Sequence, residues 1–133
     1  MGRSGDVEVR VLVVDDQETY RRAMTAVVEA TDGFVVVGQA GSGEQSLEAA
    51  AALRPDLVLM DVNLPGIDGI EASRRLTGRP GGPAVVLLST YDVDEFDISG
   101  SGAVDYVPKA AFGPDRLAEA WASAGLFSPP HTA

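Results

Sequence analysis

The sequence contains no cysteine, which excludes disulfides, thiolate metal sites and cysteine nucleophiles. Its one histidine, His131, stands in the closing stretch SPPHTA, so neither a histidine-rich metal centre nor a Ser-His-Asp triad can be assembled. Aromatic residues make up only 6%, with a single tryptophan, Trp121. Bases are half as frequent as acids, 10 against 20, for a formal net charge of −10. A surface of that sign is a poor binder of nucleic acid, whose affinity rests on Lys and Arg neutralising phosphates. No apolar run approaches the roughly 20 residues of a membrane-spanning helix. The opening MGRSGDVEVR is polar, so no secretory signal is expected. Lysine is nearly absent too: Lys109 stands alone among arginines. That is either chance or the retention of one compact ammonium. The chemistry left to the chain is that of carboxylates, hydroxyls and this lysine.

What is present describes one globular domain: 133 residues, 45% hydrophobic and 23% charged. Five short apolar runs, Val9–Val14, Phe34–Val37, Leu57–Met60, Ala84–Leu88 and Val104–Val107, are rich in Val and Leu with little alternation. That pattern predicts strands buried on both faces. Between them lie helical patterns: Tyr20, Met24, Val27 and Val28; then Leu47, Ala50 and Ala51; then Ile70 and Leu76. Asp68 with Glu71 three residues on predicts a capping box for the third helix. Pro114 suits the first turn of the last helix, which carries Leu117 and Trp121 as packing residues. The fourth helix is the weak unit, because YDVDEFDISGSG holds about two turns before its glycines break it. Strands alternating with helices predict βαβ units, a parallel sheet and an α/β layer sandwich. The domain is expected over residues 8–125, between a flexible N-terminus (1–7) and a loose tail (126–133).

In a parallel sheet all strand ends share one edge, and ligands bind beyond the carboxyl ends. Strand 1 ends in Asp15-Asp16, strand 3 in Asp61, strand 4 in Ser89-Thr90, and strand 5 in Pro108-Lys109. Each has a bland explanation: a helix cap for Asp15 and Asp16, a turn for Asp61, loop entry for Ser89 and Thr90, a solvated surface position for Lys109. Their convergence on one rim favours a site. Two carboxylates about 4 Å apart repel by roughly 4 kcal/mol at an effective dielectric near 20, so three together raise a pKa unless a cation joins them. Oxygen ligands of this kind suit Mg²⁺. A carboxylate beside Mg²⁺, an ammonium and a hydroxyl is equipped to receive a phosphoryl group.

The motifs VRVLVVDDQE, VLMDVNLPGIDG, VVLLSTYD and DYVPK occur in order, and together they resemble the CheY-like receiver domain of two-component response regulators. The resemblance covers about residues 8–125. It is nearest in pattern to receivers of the NarL type, which usually precede a helix-turn-helix output domain; none is read in this sequence. It implies a doubly wound (βα)5 fold with flavodoxin-like strand order 2-1-3-4-5. It further implies Asp61 as phosphoacceptor toward a histidine kinase or phosphotransfer protein, with Mg²⁺ on Asp15, Asp16, Asp61 and the Asn63 backbone carbonyl, Asp15 acting largely through water. Ser89 would be the switch hydroxyl and Lys109 the phosphoryl partner. Tyr106 would be the switch aromatic, and Asn63, Thr90 and Tyr91 would tune acyl-phosphate lifetime. Ala110 stands where many receivers carry proline and a cis peptide, and a cis bond there would cost roughly 3 kcal/mol. DISGSGA is shorter than the family's fourth helix and its loop. That weakens the expected homodimer face of fourth helix, fifth strand and fifth helix.

Four functions are weighed. The leading reading is a cytoplasmic phosphoacceptor switch that changes affinity for an unknown downstream protein, with no turnover of an external substrate. A phosphorylation-independent binding module on the same fold is the alternative. A Mg²⁺ phosphatase with an aspartyl-phosphate intermediate would need an acid two residues after its nucleophile, where this chain has Asn63. Direct DNA binding is disfavoured by the charge and by the lack of a recognition helix.

Overall fold

Every predicted apolar run is a strand: β1 (Val9–Val14), β2 (Phe34–Ala40), β3 (Leu57–Asp61), β4 (Ala84–Ser89) and β5 (Asp105–Pro108). The computed structural model describes residues 8–90 and 100–127. Helices α1 (Glu18–Glu29), α2 (Gly43–Leu53) and α3 (Gly69–Thr77) come after the first three strands, and α4 (Pro114–Phe127) comes after β5 and a single 3₁₀ turn, Lys109–Ala111. The strands form one parallel sheet in the order β2-β1-β3-β4-β5, the flavodoxin-like arrangement expected from the resemblance. The weak fourth helix of the sequence reading falls mostly on residues 91–99, outside the described residues, as do 1–7 and 128–133. α4 itself continues to Phe127.

The absence of alternation in the strands has a direct structural cause. Successive side chains point to opposite faces, and both faces are covered. Leu12, Val14, Val58, Met60, Val85 and Leu87 pack on one face with Ala50, Ala72 and Leu76 of α2 and α3. Val11, Val13, Leu57, Leu59, Val86 and Leu88 pack on the other with Met24, Val28, Leu117 and Ala120 of α1 and α4. Each fully buried leucine contributes about 1.5–3 kcal/mol relative to exposure. β2 runs three residues past the predicted apolar stretch, because Gly38, Gln39 and Ala40 keep pairing with Leu12, Val13 and Val14 after a register shift.

Helix starts obey local polar chemistry. Asp68 caps α3 by accepting the Glu71 N–H at 2.8 Å, as expected. The reciprocal half of the capping box is replaced: the Glu71 carboxylate instead pairs forward with Arg74 and Arg75. Ser42 caps α2 through the Gln45 N–H at 3.1 Å. The cap at α1 is Gln17, which makes no side-chain capping bond. Asp15 and Asp16 are therefore not its caps, which leaves them to the rim.

One glycine is required by close approach. Gly69, the first residue of α3, lies against the Asp61 carbonyl and the Val62 Cα, and a Cβ there would collide with both. Its N–H donates to the Val62 carbonyl at 2.9 Å. The helix is thereby pressed onto the end of β3. Gly69→Ala should lower stability by about 1–3 kcal/mol through overpacking, read as a drop in the urea midpoint with unchanged slope. A midpoint equal to wild type would contradict this packing.

Candidate functional site

The order β2-β1-β3 places the topological switch between β1 and β3, and both strands end there in carboxylates. Asp15 is the residue directly after β1 and is fully buried; Asp61 is the last residue of β3 and 4% exposed. Asp16 faces solvent beside them. Carboxylate oxygens of Asp15, Asp16 and Asp61 all lie within 4.8 Å of one another. Such a set leaves negative charge in excess and offers only hard oxygen donors, which suits a hard divalent cation such as Mg²⁺. The donor chemistry fits that ion.

One cation is built in. Lys109 Nζ donates to Asp15 Oδ2 at 2.7 Å and sits 3.5 Å from Asp61 Oδ1. Its third side faces the Tyr20 ring, with Nζ 3.7 Å from the ring centroid. The remaining Asp15 oxygen accepts the Gln17 N–H at 2.9 Å. Arg21 donates to the Asp15 backbone carbonyl at 2.7 Å, tying α1 to the same turn. The Asn63 N–H reaches Asp61 Oδ1 at 3.3 Å. Lys109 arrives because Pro108, the last residue of β5, pairs with Ser89, the last residue of β4. All described peptide bonds are trans, including the one before Ala110.

Ser89 is fully buried and lies one residue past Leu88, which pairs with Asp61 across the sheet. Thr90 is exposed. Tyr106 is buried on the α2–α3 side of the sheet. Beside it, Asp105 and Arg116 form a two-pronged pair at 2.9 and 3.1 Å that ties β5 to α4. Asn63 is exposed on the loop after β3. Tyr91 lies outside the described residues. The structure thus brings together Asp15, Asp16, Asp61 and Lys109, with Ser89 on the neighbouring strand end. Sequence reasoning missed Tyr20 and Arg21. Tyr20 fits the helical spacing of core residues, so its pattern conceals its contact with Lys109.

Burial, and then the charge of Asp15, push the Asp61 carboxyl up from 3.8 to about 6, against the opposing pull of Lys109 and the Asn63 N–H. A carboxyl raised in the folded state makes its ionised form a cost to folding. That cost is full above about pH 6 and fades as pH falls toward 3.8, where folded and unfolded chains are both protonated. At neutral pH it is about 2 kcal/mol after allowance for solvent screening. In metal-free buffer Asp61→Asn should therefore be more stable than wild type by about that amount near pH 7, and the gain should vanish near pH 4. Urea unfolding at both pH values measures this; a gain that persists in acid would refute the electrostatic origin.

The profile of the response regulator receiver domain matches residues 11–122. Among curated relatives, the response regulator GacA of Pseudomonas viridiflava is 45% identical over 105 residues, covering 77% of this chain and 49% of that protein. A protein-glutamate methylesterase/protein-glutamine glutaminase of Alkalilimnicola ehrlichii is 41% identical over 106 residues, covering 77% of this chain and 27% of that protein. The chain thus spans about half the length of the first of these relatives and less of the second. Among solved structures, the signal receiver domain of NarL from Mycobacterium tuberculosis superposes with a TM-score of 0.81 at 25% identity, over 92% of this chain and 99% of that one. The response regulator domain of Thermotoga maritima CheB gives 0.78 at 26% identity with the same coverages. With the acidic rim and the sheet order already in place, these matches make the chain a member of the response regulator receiver domain family.

Proposed function

We propose that this chain is a phosphoacceptor switch in which Asp61 takes a phosphoryl group from a phosphohistidine of a sensor kinase or phosphotransfer protein. The observation that carries the reading is the rim itself: three carboxylates within 4.8 Å of one another, closed by the only lysine at 2.7 Å from Asp15 and 3.5 Å from Asp61. A nucleophile for phosphorus must be ionised, positioned and relieved of repulsion as the anionic donor approaches.

In this reading an Asp61 carboxylate oxygen attacks phosphorus in line with the donor nitrogen. The P–O bond forms, the P–N bond breaks, and the departing imidazole takes a proton from solvent. Mg²⁺, when held by Asp15, Asp16, Asp61 and the Asn63 carbonyl, would offset the charge on the phosphoryl oxygens and lower the repulsion among the acids. Asp15 keeps Lys109 at the rim, so the ammonium can meet a phosphoryl oxygen without leaving its partner. Ser89 offers a hydroxyl to another phosphoryl oxygen, and Tyr106 responds from β5 as the switch aromatic. Asn63, Thr90 and Tyr91 govern the access of water. Hydrolysis is the reverse in outcome: water attacks phosphorus, the acyl-phosphate P–O bond breaks, and the Asp61 carboxylate returns with release of phosphate. No external substrate is turned over.

The output is a change in affinity for a downstream protein. This is the behaviour of a cytoplasmic signalling component. Among the described residues no helix is long and apolar enough to cross a membrane.

Intact mass spectrometry with acetyl phosphate as donor tests the reading. Wild type should gain one phosphoryl group only when Mg²⁺ is present, and Asp61→Asn should gain none while remaining folded. Lys109→Arg should be labelled but should respond weakly, because a bulky planar fork does not replace a compact ammonium between two carboxylates. An adduct that survives Asp61→Asn would move the acceptor elsewhere. No adduct in wild type under conditions that label an ordinary receiver would favour the phosphorylation-independent binding module.

A further inference from the structure

The geometry points to Tyr20 as the positioning residue for Lys109, holding the ammonium over the Asp15–Asp61 pair through the face of its ring. This inference rests on the reading of Asp61 as phosphoacceptor and adds a component to it. The ring centroid lies 3.7 Å from Lys109 Nζ, well inside the roughly 6 Å over which a cation is attracted to an aromatic face. Tyr20 belongs to the first turn of α1, just after the segment that carries Asp15 and Asp16. The β1–α1 connection and the first turn of α1 together supply Asp15, Asp16 and the ring against which the ammonium rests.

An ammonium has three N–H donors. Here one points to Asp15 Oδ2 at 2.7 Å and a second faces Asp61 Oδ1 at 3.5 Å. The third direction is occupied by a π face rather than another carboxylate. That choice matters for phosphoryl transfer. A third carboxylate would bind the ammonium tightly and add more negative charge to a rim that must admit an anionic donor. A ring face attracts the cation without adding net charge. The ammonium can then turn from Asp61 toward a phosphoryl oxygen while keeping Asp15 on one side and the ring on another.

The surroundings restrict the alternatives open to the lysine. Behind the pair lies a cavity of about 110 Å³, lined by Tyr20 and Lys109 together with Met24, Val27, Leu88 and Phe112. These walls are mostly apolar and make the cavity a poor destination for the ammonium, whose polar contacts lie at the rim with Asp15 and Asp61. The Lys109 side chain is only 11% exposed as placed. Tyr20 acts through Lys109 and has no assigned contact with the phosphoryl group.

Because Lys109 is the only lysine, its environment can be read without ambiguity. Protein labelled with ¹³C at the lysine ε-carbon should show one methylene signal, displaced upfield by the ring current of Tyr20. Tyr20→Phe should keep that displacement and label with acetyl phosphate and Mg²⁺ at a rate within about twofold of wild type, since the ring face is retained. Tyr20→Leu should lose the displacement and label about 2- to 30-fold more slowly, the range that corresponds to a cation–π contact of ordinary strength. Tyr20→Met supplies a second non-aromatic variant if the leucine protein does not fold. Any one of three results overturns the inference: no ring-current shift in wild type, wild-type labelling in a folded non-aromatic variant, or equal slowing by Tyr20→Phe. If wild type takes up no phosphoryl group, the phosphoacceptor reading fails. The lysine signal still decides whether the ring holds the ammonium.

Discussion

Two buried carboxylates facing one another are the constraint around which this molecule is arranged. Asp15 and Asp61 end the two central strands on either side of the topological switch, where water is largely excluded from both. Their repulsion is opposed by a single ammonium brought from the end of β5. One positive charge does not neutralise two buried acids and an exposed third. The Asp61 carboxyl is accordingly held at about 6, mainly by burial and next by Asp15. A site with surplus negative charge favours a partner that brings positive charge.

The rest of the fold keeps those groups in place. The leucines and valines of β1, β3 and β4 fix the strands from both faces, so the strand ends cannot drift apart. Gly69 lets α3 press on the Asp61 carbonyl, and Arg21 fastens the Asp15 carbonyl to α1. On the same face as α1, the Asp105–Arg116 fork joins β5 to α4. Ser73 of α3 donates to the Ser101 carbonyl at 2.9 Å, fastening the chain that enters β5.

Much of this was legible in sequence because parallel strands covered on both faces lose their alternation. The five apolar runs therefore mark the strands, and the polar residues at their carboxyl ends mark the rim. Asp68 was legible as a cap because the signal is local. The Glu71 half of the box was not, since arginines three and four residues on compete for the same carboxylate. Asp15 and Asp16 could be read in sequence either as caps of α1 or as rim acids, because an aspartate after a strand serves both roles; the convergence of strand ends favoured the rim, and Gln17 stands at the cap. Tyr20 was the larger omission. Its partner lies at the opposite end of the chain, and its spacing with Met24 matches a core stripe, so only the three-dimensional arrangement reveals the ring under Lys109.

The central claim is that burial and the charge of Asp15 hold the Asp61 carboxyl above its ordinary range. A titration of its side-chain carboxyl carbon by ¹³C NMR, with and without saturating Mg²⁺, examines this directly. Without metal the midpoint should lie near 6, well above the ordinary value of 3.8. With Mg²⁺ it should fall by at least about one unit, because a bound divalent cation stabilises the ionised form. A midpoint near 3.8 in metal-free buffer, or one that Mg²⁺ leaves unmoved, would contradict the account.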